Sequence, residues 1–344
     1  MADKSLIEWT DATWNPITGC TLVDDGCRHC YAAHLITSWP AIGNHPSREG
    51  LARKNAAGES KFTGEVRFNE QWLDQPLRWK KPRRIFVCAH GDLFHPEVPD
   101  EWIDKVFAVM ALAPQHTFQV LTKRPERARE YLMGLTCDGA RRLNVARMAG
   151  HLFGDEADAK ASNRHWPMSN VWMLTSVSDQ ASANERIPQL LACPAAVRGI
   201  SAEPLLGPVD LTLDGLVCLP CPASLDGLRM DTDTGAYECC SRCDYTGVGS
   251  EWGIDWVICG GESGPHARPM HPDWARSLRD QCVAAGVPFL FKQWGEWAAD
   301  QIGPEDARST RYPPGHVEFL KIGKKRAGRK LDGVEWSQFP EVAE

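Results

Sequence analysis

The run Arg84-Ile-Phe-Val-Cys-Ala-His-Gly-Asp92, followed by the stretch from Pro99 to Ala113, sets the architecture. A short β-branched and apolar segment ends in polar residues, and the stretch after it carries Trp102, Val106, Val109 and Met110 at helical spacing. The same strand-then-helix unit recurs along the chain. Thr117-Phe-Gln-Val-Leu-Thr-Lys123 leads through Arg124-Pro125 into a helix predicted from Glu126 to Met133, where proline suits a first turn. Further strands are predicted at Val171–Val177, Val197–Glu203, Ile254–Gly260 and Pro288–Lys292, with helices at about 180–192 and 272–285. Near-continuous apolar strands alternating with helices imply a parallel sheet. Polar residues gather at the strand C-termini: Asp92, Thr122 and Lys123, Ser176, Glu203, then Gly260, Gly261 and Glu262, and Lys292 with Gln293. In a β/α barrel that edge binds ligands. Six strands, with a seventh ahead of the first cysteines, predict an α/β fold with a complete or partial parallel (β/α) barrel; a doubly wound sheet is the alternative.

Composition narrows the function classes. A chain of 344 residues with 43% hydrophobic content can bury a sizeable core. Its net charge of −7 argues against a generic polyanion binder, so nucleic acid would have to meet a local basic patch. Lys321–Lys330 is such a patch, with six positive charges in ten residues, and Arg78–Arg84 adds Lys80, Lys81 and Arg83. No apolar stretch approaches the length of a membrane span and the N-terminus lacks a secretory pattern, so a cytoplasmic protein without membrane contact is expected. In that reducing compartment, 13 cysteines point to metal ligation before disulfides. Most of the 14 tryptophans are expected to pack in core and loops.

The organisation follows from these patterns. Residues 1–84 form an N-terminal segment with the first cysteine loop, and residues 85–213 the barrel core, interrupted at about 134–168 by a polar insertion of irregular period. Residues 214–251 are a small insertion carrying the second cysteine group, 252–300 complete the barrel, and 301–344 are a basic extension that wraps the barrel or stays flexible.

Cys20, Cys27 and Cys30 provide three thiolates, which leaves one coordination position of a metal or cluster open. The second group, Cys218-Leu-Pro-Cys221 and Cys240-Ser-Arg-Cys243, has its two pairs 18 residues apart, as two zinc knuckles joined by a hairpin would. Closed by four thiolates, such a site would supply folding free energy to a segment with little apolar content. Cys239 could replace Cys240 as ligand, and a second iron-sulfur cluster is the rival to zinc. Cys88, Cys137, Cys193, Cys259 and Cys282 stand alone and read as small buried hydrophobes.

Cys20-x6-Cys27-x2-Cys30-Tyr31, ahead of this α/β series, resembles the radical S-adenosylmethionine (SAM) superfamily, in which three cysteines, usually spaced C-x3-C-x2-C, hold a [4Fe-4S] cluster. There the fourth iron binds SAM, and an electron passed to its sulfonium generates a 5′-deoxyadenosyl radical. A closer resemblance runs along nearly the whole chain. Ile7–Cys20, Gln75–Arg84, Leu121-Thr-Lys-Arg-Pro125, Gly260-Gly-Glu-Ser-Gly264, Phe291–Glu296 and Ala327–Gly333 are similar to the three-cysteine-motif family of phages and bacteria, which is radical-SAM-like and has no assigned reaction.

The resemblance implies a set of roles. Cys20, Cys27 and Cys30 would ligate the cluster, with Tyr31 beside the adenine. Asp92 would meet the SAM amino group. Ser176 and Glu203 would face ribose or carboxylate, and Lys123 would pair with the carboxylate. Gly260 and Gly261 would let backbone approach adenine, with Glu262 beside it. His90 has no role assigned. The leading functional expectation is a radical SAM enzyme that modifies or repairs a nucleic-acid base presented flipped or single-stranded. A small metabolite or peptide substrate is the rival within the class, and a non-catalytic zinc-dependent binding module the rival outside it. The expected cofactors are the [4Fe-4S] cluster, SAM and structural zinc. Expected partners are nucleic acid at Lys321–Lys330, a separately encoded protein, and a reductase or flavodoxin-type electron donor.

Overall fold

Seven short apolar strands make one sheet in chain order: β1 (Ala12–Trp14), β2 (Arg84–Val87), β3 (Thr117–Thr122), β4 (Val171–Val177), β5 (Val197–Ala202), β6 (Trp256–Gly260) and β7 (Phe289–Gln293). These come from a computed structural model, which describes residues 4–136, 139–211, 229–230, 237–238, 253–299, 309–311 and 318–341. Every neighbouring pair is parallel. A doubly wound sheet reverses its strand order at a switch point, whereas a barrel wall advances one strand at a time. The unbroken order is that of a barrel wall, and its edge strands β1 and β7 do not pair, so the sheet is an open half-barrel.

The helices are α1 (Tyr31–Ser38), α2 (Asp100–Leu112), α3 (Pro125–Thr136), α4 (Ala140–Phe153), α5 (Asp155–Ser162), α6 (Gln180–Leu191) and α7 (Pro272–Ala285). The sequence places α2, α3, α6 and α7 within two residues at their starts, and α3 runs three residues past its expected end at Met133. α6 starts at a capping box between Asp179 and Ser182, and α7 has Pro272 in its first turn and ends at Gly286 with φ +68°. Right-handed crossovers put such helices on one face of a sequentially ordered sheet. Strand alternation matches this. Ile85, Val87, Phe118, Val120, Met173, Val257 and Phe289 join the large core under the helices. Phe86, Trp172, Leu174, Trp256, Ile258 and Leu290 form a second, smaller core with Trp9 on the inner face.

The polar insertion at about 134–168 contains α4 and α5, which pack on each other and on α2. Its buried face is Val145, Ala146, Ala149, Ala157 and Ala161, while Leu143 and Phe153 are exposed, so the apolar spacing is carried by alanines.

The open side of the half-barrel is covered by the chain's own ends. Trp9 is fully buried on the inner face. The segment after Gly328 runs antiparallel along β7: Phe291 N donates to Trp336 O (3.0 Å), Gln338 N donates to Phe289 O (3.2 Å), and Ser337 bridges Leu290. Phe339 then packs 5.1 Å from Trp256, and its ring lies 4.0 Å under the Arg84 guanidinium. The described part of the basic extension therefore wraps the barrel. Cys137, Cys218, Cys221, Cys239, Cys240 and Cys243 lie outside the described residues. Cys88, Cys193, Cys259 and Cys282 are buried, as expected of small hydrophobes. Among the described residues no helix is long and apolar enough to cross a membrane.

Candidate functional site

Cys20, Cys27 and Cys30 line one cavity of about 380 Å³ at the C-terminal edge of the sheet. Local geometry brings them there. Gly19 bridges Gly91 just past the end of β2, which sets Cys20 against the barrel rim. Asp24 caps a short 3-10 helix over Asp25–Cys27, accepting from Cys27 N at 3.1 Å. Cys30 is the N-cap residue of α1. Burial pushes the Cys20 thiol up to about 12, with Asp92 adding to the rise and Arg124 opposing it. Burial also raises the Cys30 thiol, against the backbone N–H groups of Ala33 and Ala32 at the start of α1. Among the described residues, no group of three or more His, Cys, Asp and Glu side chains is set to hold a metal ion.

The six residues between Cys20 and Cys27 carry the anchors of this loop. Asp24 pairs with Lys123 Nζ (2.7 Å) at the end of β3 and with Arg186 Nη2 (2.5 Å) on α6. Burial would raise the Asp24 carboxyl, but Lys123 and Arg186 hold it at about 2. Asp25 pairs with Arg268, which also grips Glu262 at 2.7 Å. His29, between the second and third cysteines, hydrogen-bonds Glu262 Oε2 at 3.1 Å. Gly26 passes so close to the wall that a Cβ would lie 2.1 Å from Ser178 Oγ and 2.8 Å from Lys123 Nζ.

Of the residues that the resemblance implies, Tyr31, Asp92, Lys123, Ser176, Glu203, Gly261 and Glu262 line the cavity with the three cysteines. Gly260 does not; it stands behind the wall, where a Cβ would meet Glu203 Oε1 at 2.7 Å. Several of these side chains are already engaged within the protein. Asp92 accepts from Phe94 N (2.9 Å), Thr122 Oγ1 (2.8 Å), Lys123 N (3.3 Å) and Arg124 Nη1 (2.8 Å). Glu203 pairs with Lys292 Nζ (2.9 Å) and accepts from Ser201 Oγ (3.0 Å), and Ser176 Oγ donates to the Glu203 carbonyl (3.2 Å). The Tyr31 hydroxyl donates to Ala89 O (2.6 Å). Gly261 has a packing reason of its own: a Cβ there would fall 2.0 Å from Trp294 O.

His90 is a structural residue. Its Nδ1 accepts from Arg48 Nε at 2.8 Å, and burial together with the Arg48 charge lowers its pKa to about 3. The sequence does not reveal Asp24, Arg124, Arg186 or Arg268 as site residues; Arg124 stands in one of the strings that carry the family resemblance, Leu121–Pro125. The two basic stretches are separated. Arg78–Arg84 runs into the first residue of β2, at the N-terminal edge of the sheet, whereas Lys324 lines the cavity and lies 3.4 Å from Glu8. Apolar inner-face residues, Trp9, Phe86 and Leu121, complete the cavity wall.

A family model described as a protein of unknown function (DUF5131) matches residues 4–340. No curated protein and no solved structure matches the chain.

Proposed function

We propose that this chain, which belongs to the family of unknown function DUF5131, is a radical SAM enzyme that modifies or repairs a nucleic-acid base. The observation that carries this reading is the meeting of Cys20, Cys27 and Cys30 in one cavity at the ligand-binding edge of a half-barrel. The donor set suits a [4Fe-4S] cluster in kind: three thiols on one loop, a further cavity-wall cysteine, Cys88, that is buried just past the end of β2, and a surrounding set of salt bridges that fixes the loop. Bound there, the cluster would supply one electron to a sulfonium, the chemistry that cleaves SAM.

The remaining residues have separable tasks. Asp24 and Asp25 hold the cysteine loop against the rim through Lys123, Arg186 and Arg268. Ser176, Ser201 and the Glu203–Lys292 pair present polar groups on a cavity wall otherwise built from Trp9, Phe86 and Leu121. That apolar wall excludes water from the reacting centre. Lys324 on the cavity wall, with exposed Lys325 and Arg326 beside it, suits the phosphates of a strand whose base enters the mouth. The second cysteine group, Cys218, Cys221, Cys240 and Cys243, is proposed to hold structural zinc.

Anaerobic purification tests the reading. A brown chain with about four irons, lost on Cys20→Ala while zinc is kept, is the expected result. Zinc alone in both cysteine groups would overturn it. The substrate class is checked by the rate of 5′-deoxyadenosine formation, which single-stranded DNA or RNA should raise; no change with either removes the nucleic-acid assignment.

A further inference from the structure

Arg124 is the cavity cation whose guanidinium reaches a cysteine of the loop. Its Nη1 lies 3.7 Å from Cys20 Sγ and 2.8 Å from Asp92 Oδ2, and its Nη2 lies 2.7 Å from Thr21 Oγ1. Its backbone N donates to Thr122 Oγ1 at 2.9 Å, and Pro125 opens α3 immediately after it. The side chain is only 13% exposed, so these contacts hold the guanidinium in one orientation. The lysines on the cavity wall are directed elsewhere: Lys123 to Asp24, Lys292 to Glu203, Lys324 to Glu8 and Lys61 to Glu59.

We infer that Arg124 is a positioning residue acting through Cys20, whose N–H···S contact raises the reduction potential of the cluster held there. This rests on the cluster reading above. Hydrogen bonds to cluster sulfurs and nearby positive charge stabilise the reduced, more negative state, and a planar guanidinium can grip sulfur, carboxylate and hydroxyl together as an ammonium cannot. Asp92 fits the same picture. Its Oδ2 shares Nη1 with Cys20 Sγ, fixing the orientation of the guanidinium at the thiol.

The test is a redox titration of the anaerobically reconstituted chain, followed by electron paramagnetic resonance, with iron content measured beside it. Arg124→Gln should move the midpoint to more negative potential by at least a tenfold change in the oxidised-to-reduced ratio, about 59 mV for a one-electron couple. Arg124→Lys should give a smaller shift in the same direction. Thr21→Val removes the hydroxyl that steadies Nη2 and also meets His95 Nε2 at 3.0 Å, and should shift the potential the same way with iron unchanged. Should Arg124→Gln lose its iron, the Arg124→Lys and Thr21→Val titrations decide. Midpoints equal to the unmutated chain's in variants that retain iron overturn the inference. An unmutated chain that holds no cluster overturns the cluster reading itself, and the two failures are told apart by which protein shows them.

Discussion

Asp24 and His90 are both displaced from their ordinary titration ranges, and each predicts its own acid response. Asp24 is held at about 2 against an unfolded value of 3.8. Above the unfolded value it is ionised in both states and its clamp contributes fully. As the pH falls through 3.8 toward 2 the unfolded chain takes up the proton first, and the contribution, on the order of 2 kcal/mol, is lost. Asp24→Asn should therefore lower stability near neutrality and flatten its decline below pH 4, read by urea unfolding across that range; an unchanged acid limb would remove the clamp from the account. His90 acts in a higher window. Its folded value is lowered to about 3 by burial and by Arg48, so it is neutral in both states above its usual 6.5. Below that pH the unfolded chain binds a proton that the folded chain refuses, and stability falls. His90→Gln keeps an acceptor for Arg48 Nε and removes the titration, so its melting temperature should fall less steeply between pH 6.5 and 4 than that of the unmutated chain. Equal slopes would rule His90 out as a source of acid sensitivity.

The cysteine loop is the element where steric fit can be tested against charge. A methyl group at Gly26 would collide with Ser178 Oγ, 2.1 Å from the position of its Cβ, and Lys123 Nζ at 2.8 Å would have to turn aside. Gly26→Ala should cost ~1–3 kcal/mol and loosen the loop. Ser178→Ala should be close to neutral alone, because the Ser178 hydroxyl is buried with no hydrogen-bond partner. The double variant should recover part of the loss, a coupling that a thermal-melt double-mutant cycle measures; strict additivity would show that the loop avoids Ser178 by another route. Legibility in the sequence follows the same division between local and distant. The six later sheet strands are readable because each is a short apolar run ending in polar residues, and the three cysteines because spacing alone groups them. The clamps are not readable. Asp24 meets Lys123 and Arg186 at separations of 99 and 162 residues, and Asp25 meets Arg268 at 243, so no local pattern announces them. α4 and α5 are hidden for a different reason: alanines form their buried stripe, and alanine carries little hydrophobic contrast against its neighbours.

At the scale of the whole molecule, a parallel sheet was predictable from the alternating pattern, whereas its strand order and closure were not. Whether seven strands meet or leave a gap depends on curvature and on what fills the opening, and here the filling comes from both ends of the described chain. Trp9 buries beside Phe86 and Trp256, 4.7 and 6.3 Å between ring centroids, while Phe339 packs on Trp256 at 5.1 Å. The tail also satisfies the edge of β7, through Phe291 N, the Phe289 carbonyl and the Gln338 side chain, which accepts from Phe289 N at 2.9 Å. It is fastened outside by Asp332, bound to Arg276 (2.9 Å) and Arg279 (2.6 Å) on α7. A chain ending at Lys330 would lose these bonds together with the buried surface of Leu331, Trp336 and Phe339. That burial is worth about 5 kcal/mol, so melting should fall by ~10 °C. The bared β7 edge would offer unpaired N–H and C=O groups beside exposed aromatic rings, a template for pairing with a second copy. Light scattering during size-exclusion chromatography should then show mass rising with concentration. A truncated chain that stays monomeric and melts where the full chain does would mean that the half-barrel closes on its own inner core, with the tail only lying over it.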